Sequence, residues 1–297
     1  MSVRCLGLLL ATAWFVGVIV AQKPPERIPF APASDGLWRI SGSTGSADPH
    51  EFILDTGAGI TVLSQSLVMK LGGKPAGQYT GFRMTGERLD LQLYTIPELR
   101  IGPIVRKQVL VAGWAGLDNL PIDGTTLHLE GIVALDFFRD QPVTLDFEHH
   151  QLLFETPDSL AQRRRTETTV PALLDDERGL SFTLFAPFLV GSHPAECEVD
   201  TGSQMYVVNL RYMDMLGLQK ESEAVKKLEH TSILGTKEVR YQATSSIALE
   251  GVPASGLQKV PVLFEDLIYD CNVGTDYWAH RAVTFDIPHK SLIVSGK

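Results

Sequence analysis

From Arg88 to Leu93 polar and apolar positions alternate, with Leu89, Leu91 and Leu93 on one side, and this pattern predicts a half-buried strand. Phe52-Ile53-Leu54 and Cys197-Glu198-Val199 read as two further strands, each running straight into an aspartate, Asp55 or Asp200. Thr85-Gly86-Glu87 and Leu234-Gly235-Thr236 predict hairpin tips. Ser64 and Asn209 are N-cap residues in front of short apolar-periodic segments that end at Gly72 and Gly217, which predicts two short helices. The 26 glycines and 17 prolines fit a chain of many turns and short strands.

These elements occur twice. Asp55-Thr56-Gly57-Ala58 returns as Asp200-Thr201-Gly202-Ser203, 145 positions later, and the helix landmarks Ser64/Asn209 and Gly72/Gly217 keep that offset. Val143-Thr144-Leu145-Asp146-Phe147 matches Val283-Thr284-Phe285-Asp286-Ile287 at an offset of 140. Ile132-Val133-Ala134 matches Asn272-Val273-Gly274 at the same offset, so loops absorb the five-residue drift. Ile28-Pro29-Phe30 resembles Val170-Pro171-Ala172, which predicts a first edge strand in each half. The expected organisation is an N-terminal lobe over residues 22–157, a polar linker over 158–168 carrying Arg163-Arg164-Arg165, and a C-terminal lobe over 169–297. The triple arginine reads as a solvated connector, with a processing site as the alternative.

Ahead of the lobes, Arg4 precedes an almost wholly apolar run from Leu6 to Val20, and no charge follows until Lys23. This predicts an export signal over residues 1–21 cleaved after Ala21, with an uncleaved membrane anchor as the alternative. Either places the rest outside the cytoplasm: periplasmic, secreted, or anchored and facing outward. The net charge of −9 argues against nucleic-acid binding. Three cysteines, with no CxxC or HxxxH spacing, make neither a disulfide scaffold nor a zinc site. No cofactor and no metal are expected.

One Asp-Thr-Gly is a common turn. Two of them, each after an apolar strand and at equivalent places of a repeat, predict a pseudo-twofold that brings Asp55 and Asp200 together. Carboxyls in contact share a proton, so one can take a proton from water while the other donates to an amide carbonyl. Gly57 and Gly202 allow the backbone to turn tightly beside each carboxylate. The hydroxyls of Thr56 and Thr201 can tie the two turns together.

On these motifs the sequence resembles the aspartic proteases of the retropepsin-like and pepsin-like superfamily, and is most similar to the bacterial type with two fused halves, over about residues 25–297. The resemblance implies a mainly β, bilobal acid-protease fold: two similar closed, barrel-like lobes with short helices about a pseudo-twofold. It implies an aspartic endopeptidase with Asp55 and Asp200 as the catalytic dyad and Thr56 and Thr201 interlocked. Gly57 and Gly202 line the water site, with Ala58 and Ser203 beside them. The hairpins near 80–90 and 231–240 become flaps over an extended peptide or protein substrate, and the chain works as a monomer. The family's second element, an apolar strand and glycine that cross the aspartate strand in a ψ shape, falls at Ala134 and Gly274. Ala134 stands where glycine is usual and Asn272 where an apolar residue is usual. If the crossing strand neighbours the aspartate strand, Cys197 and Cys271 are adjacent, either as a disulfide or as two buried thiols.

Tyr79 reads as a packed strand aromatic near the first flap. Asp136 and Asp276 read as caps of short helices. A non-catalytic peptide-binding module on the same fold is the competing reading.

Overall fold

The structure is a computed structural model and describes residues 23–45, 48–122 and 125–296. The apolar leader and Cys5 lie outside the described residues. Among the described residues no helix is long and apolar enough to cross a membrane.

Each half builds an eight-stranded sheet with the same strand order. In the N-terminal half, Trp38–Ser43 pairs with Pro49–Leu54, the strand that ends at Asp55. The crossing strand Gly131–Val133 lies parallel to it, with Ile132 opposite Ile53 and Val133 opposite Leu54. Beyond come Val62–Ser64, Ile104–Trp114, Arg88–Ile101 and Lys74–Phe82. Trp38–Ser43 also pairs with Arg88–Ile101, which turns the sheet into a ring. The C-terminal half repeats this. Ser181–Val190 pairs with His193–Val199, Cys271–Val273 crosses parallel to the latter, and Ser181–Val190 closes the ring onto Lys237–Leu249.

A third sheet joins the halves. Its six strands run in the order Glu26–Pro29, Gln151–Phe154, Val143–Asp146, Ala282–Asp286, Ser291–Val294, Thr168–Pro171. Its two edges are the strands expected from Ile28-Pro29 and Val170-Pro171, positions where proline's missing N–H leaves no ladder bond unmade. Its centre is the repeat at offset 140: Thr144 lies opposite Thr284, and their hydroxyls meet at 2.7 Å. The internal twofold passes between these threonines. Apolar residues from both halves form one continuous core against this sheet, including Phe30, Phe52, Phe147, Phe285 and Trp278.

The helix signals land with one adjustment. Ser64 caps Gln65–Lys70 by accepting from the Leu67 N–H, and Gly72 follows with φ +67°. In the other half the helix Arg211–Met215 starts one residue later than expected, while Asn209 Oδ1 accepts from the Arg211 N–H and Gly217 (φ +68°) ends the turn. The charged connector has no buried residue of its own, but it is helical rather than irregular. Residues Pro157–Thr166 form a helix, opened by a capping box between Thr156 and Ser159 with proline at the start. Arg163 reaches the fully buried Glu155, and Arg164 the fully buried Asp286. The arginine run thus anchors the helix to the joining sheet.

Candidate active site

Asp55 and Asp200 leave their strands at the same point of each ring. Their N–H groups donate to the carbonyls of the crossing strands, Asp55 to Val133 (3.0 Å) and Asp200 to Val273 (3.1 Å). The next residues lock the turns together. Thr56 Oγ1 donates to the Val199 carbonyl and Thr201 Oγ1 to the Leu54 carbonyl, both at 2.6 Å. Each of these hydroxyls also accepts from the other threonine's N–H, at 3.0 and 3.1 Å. Four hydrogen bonds made by the two buried threonines, two with each other and two to the opposite strand's carbonyl, therefore tie the two aspartate turns together.

The carboxyls meet across this lock, close enough to hydrogen-bond. Burial, then the charge of Asp200 and the hydrogen bond to it, push Asp55 well above the ordinary carboxylate range, and Glu198 adds to the rise. Asp55 Oδ1 accepts from the Gly57 and Ala58 N–H groups at 2.9 and 3.0 Å. Asp200 Oδ1 accepts from the Gly202 N–H at 2.7 Å. The glycines serve an additional purpose: a Cβ at Gly57 would run into the Asp200 carboxyl, and one at Gly202 into that of Asp55. Ser203 sits at the turn with its carbonyl accepting from the Thr275 N–H (2.8 Å).

At the crossing, Gly274 is wedged against the backbone of Gln204 and Met205, where a methyl has no space. Its counterpart Ala134 is fully buried, and its N–H donates to Thr61 Oγ1 at 3.2 Å. The methyl expected to crowd the crossing leaves the pairing of Val133 with Leu54 in place. Cys197 and Cys271, register partners on the parallel strands with Cα atoms 4.5 Å apart, form a disulfide.

Three residues at the site carried no functional expectation. Asn272 Nδ2 donates to Asp200 Oδ2 at 2.6 Å and to Glu198 Oε2 at 3.2 Å. Tyr269 donates its hydroxyl to the same Glu198 oxygen. Burial, then the charge of Asp200, push Glu198 up to about 8, against the hydrogen bonds from Tyr269 and Asn272. The sequence did hold a signal. Glu198 is an acid set between Cys197 and Val199, two residues before Asp200 and so on its face.

Above the dyad lies a cleft of about 350 Å³ lined by both halves, with Asp55, Tyr79, Trp114, Glu198 and Tyr269 on its walls. Tyr79 is a cleft residue, not simply a packed one; its hydroxyl donates to Ser181 Oγ at 3.0 Å. The two expected flap tips meet over the cleft. Glu87 accepts from Ser232 (3.0 Å) and Thr236, and Glu238 accepts from Arg83 (3.1 Å) and Thr85 (2.9 Å). The N-terminal flap also uses its main chain, the Met84 carbonyl accepting from the Ile268 N–H at 2.9 Å.

Asp136 and Asp276 do not cap their short 3-10 helices; they sit in the first turn, and neither helix has a side-chain cap. Asp136 instead accepts from the N–H (3.1 Å) and hydroxyl (2.6 Å) of Thr61, and its burial raises it above the usual range.

Among the described residues one group could offer three ligand atoms to an ion, His230, Glu238 and Glu265, within 4.8 Å of one another. Arg83 and Arg240 already pair with the two glutamates, at 3.1 and 2.7 Å. A divalent ion would have to compete with these guanidiniums for the same carboxylates. The cluster is better described as a charge network behind the C-terminal flap.

A family model described as aspartyl protease matches residues 39–125, which include Asp55 and the first flap. No curated protein matches the sequence. Solved structures match over nearly the whole chain. Conglutin gamma, a basic 7S globulin from lupine seeds, has a TM-score of 0.52 at 11% identity, covering 93% of this chain and 96% of its own. Edgp gives 0.53 at 10% identity, covering 93% and 96%. Basic 7S globulin from soybean gives 0.54 at 9% identity, covering 92% and 97%. The chain thus resembles the retropepsin-like aspartyl proteases and has the mainly β, bilobal acid-protease fold. At these identities the structural likeness shows the fold alone.

Proposed function

We propose that the chain is an aspartic endopeptidase in which Asp55 and Asp200 activate water between them. One observation carries the reading: two carboxyls facing each other, Asp55 lining the cleft and each lying against the other turn's glycine, each cradled by its own Asp-Thr-Gly turn and both turns interlocked by threonine. Water held there loses a proton to the ionised carboxyl and attacks the scissile carbon, while the protonated carboxyl donates to the carbonyl oxygen. No covalent intermediate and no cofactor is needed. An extended peptide lies under the flap tips, pairing with flap main chain, so the tips must part to admit it. Both halves of the site come from one chain, which supports a monomer. The Cys197–Cys271 bond supports an oxidising compartment outside the cytoplasm.

The test is digestion of a broad peptide library by the wild type and by Asp55→Asn and Asp200→Asn. Each substitution should lower cleavage by roughly 10³-fold or more, since general acid–base groups contribute about 10²–10⁴-fold each. Wild-type cleavage should be blocked by a statine-type transition-state mimic. Retained cleavage in either variant rejects the dyad.

A second reading is a peptide-binding module without turnover on the same fold. Tight mimic binding with no cleavage of any library peptide would establish it.

A further inference from the structure

We propose that Asn272, with Glu198 behind it, is a positioning residue that sorts the two aspartates into fixed roles, Asp200 as the ionised proton acceptor and Asp55 as the proton donor. The inference rests on the dyad reading above and adds to it which carboxyl does what.

The difference lies in how the hydrogen bonds are distributed. Each aspartate accepts two from the protein. On Asp55 both fall on Oδ1, from Gly57 and Ala58, which leaves Oδ2 free to carry a proton. On Asp200 they are split, Oδ1 accepting from Gly202 and Oδ2 from Asn272, so neither oxygen is free of a donor. An amide N–H can only donate, and it favours the ionised form of the carboxyl it faces. Asn272 is almost wholly buried and opposite Glu198 in the parallel register, so its amide is held in place.

Glu198 completes the arrangement. Its Oε2 accepts from both Asn272 and Tyr269, so a proton on Glu198 resides on Oε1. Three acids within one buried site cannot all ionise. Glu198, raised to about 8, stays neutral and leaves the negative charge to Asp200. The N-terminal half has no such donor: Ile53 and Ile132 hold the equivalent register positions.

The experiment combines a carboxyl-carbon NMR titration of 13C-labelled Asp and Glu with pH–rate profiles on a cleaved library peptide. The variants are Asn272→Ile and Glu198→Gln, with Asp55→Asn and Asp200→Asn used to assign resonances. In the wild type, the Asp200 signal should show the ionised form at a pH where the Asp55 signal still shows the protonated one. Asn272→Ile should lower kcat by roughly 10- to 100-fold with KM within about threefold, and move the acidic limb about one unit to higher pH. Glu198→Gln should leave both limbs in place, because a neutral amide replaces a carboxyl that is itself neutral; a limb moved by about one unit or more would show a charged Glu198 and overturn its part in the arrangement. Protonated Asp200 beside ionised Asp55 overturns the proposal. So does an Asn272→Ile enzyme that is slower or less stable with both limbs unmoved. If the wild type cleaves no peptide, the protease reading fails by itself, and the titration still decides the order of ionisation.

Discussion

The floors of the two lobes have one backbone and two chemistries. In the N-terminal lobe, Ile53 pairs with Ile132, and both pack in an apolar cluster that includes Leu129. In the C-terminal lobe, the equivalent strands pair Glu198 with Asn272, and Tyr269 hydrogen-bonds the glutamate. Register, crossing and threonine lock are conserved between the halves, while the side chains beneath the carboxyls are not. A pseudo-twofold thus places two acids in contact, and the polarity beneath them makes the two unequal. The halves also differ one position back. Phe52 and Gly131 take the places of the cystine, and a Cβ at Gly131 would press on Leu63, the Val62 carbonyl and the Phe52 ring.

The symmetric part of the comparison predicts the largest effects. Gly57→Ala and Gly202→Ala each place a methyl in the opposite carboxyl. Because reacting groups must be held to within fractions of an ångström, each variant should lose roughly 100-fold or more in kcat/KM. A full-strength enzyme with either alanine would mean that the two carboxyls do not act in this mutual contact. The asymmetric part comes next. Removing the disulfide with Cys197→Ala/Cys271→Ala should cost about 2–4 kcal/mol in urea denaturation, as the bond closes a 74-residue separation. An unchanged midpoint would show that the C-terminal crossing is held as firmly by packing as its N-terminal twin.

How much of this the sequence carried depends on what repeats. The lobes and the interlocked turns were legible because both copies carry matching residues at constant offsets, and the flap hairpins because each has a turn glycine, Gly86 or Gly235; that the matched segments at offset 140 share one sheet was not. The polar floor was not, because Glu198, Asn272 and Tyr269 have apolar counterparts, and comparing halves discards what differs. The alternation rule alone places Glu198 on the Asp200 face. The connector helix was hidden differently. Thr156-Pro157-Asp158-Ser159 is a helix start, but its three arginines suggest a solvated segment until Glu155 and Asp286 supply buried partners. Asp136 looked like a cap because caps and buried acceptors use the same residue type, and only the fold brings Thr61 to it.

Making the floors alike tests what the polar trio costs. Glu198→Ile/Asn272→Ile/Tyr269→Leu copies the N-terminal lobe and leaves only Asp200 Oδ2 without its donor. Replacing a buried polar network by apolar groups is often neutral or stabilising by about 1–4 kcal/mol, so the variant should be at least as stable as wild type while losing turnover. The gain should depend on pH. Glu198 is raised in the folded state, from 4.5 to about 8, so the native protein holds more protons than the unfolded chain in that window. The wild type therefore loses stability as pH rises from about 4.5 to 8, and the variant should show a shallower slope in thermal melts across that range. Parallel slopes would mean that Glu198 ionises as readily in the folded protein as in the unfolded chain.

The smallest effect belongs at the flap tips, where the two lobes come back to near-equality. Each tip offers one glutamate to the other, Glu87 to Ser232 and Thr236, and Glu238 to Arg83 and Thr85. Burial works to raise Glu87, but hydrogen bonds from Thr236, Arg83 and Ser232 outweigh it and hold the carboxyl below its usual range. The contact is therefore present above the ordinary glutamate range and fades only as pH falls through the lowered value. Exposed pairs of this kind contribute about 0–1 kcal/mol, so Glu87→Gln should leave the urea midpoint nearly unchanged. Its effect should be on closure: KM up by roughly two- to fivefold and kcat within twofold, the size expected for loss of under 1 kcal/mol of uniform binding. Because the glutamine keeps its shape and still accepts from one of the two hydroxyls while its Nε2 faces the other as a donor, a larger loss, or one confined to kcat, would show that the tips take part in the chemical step and do more than cover it.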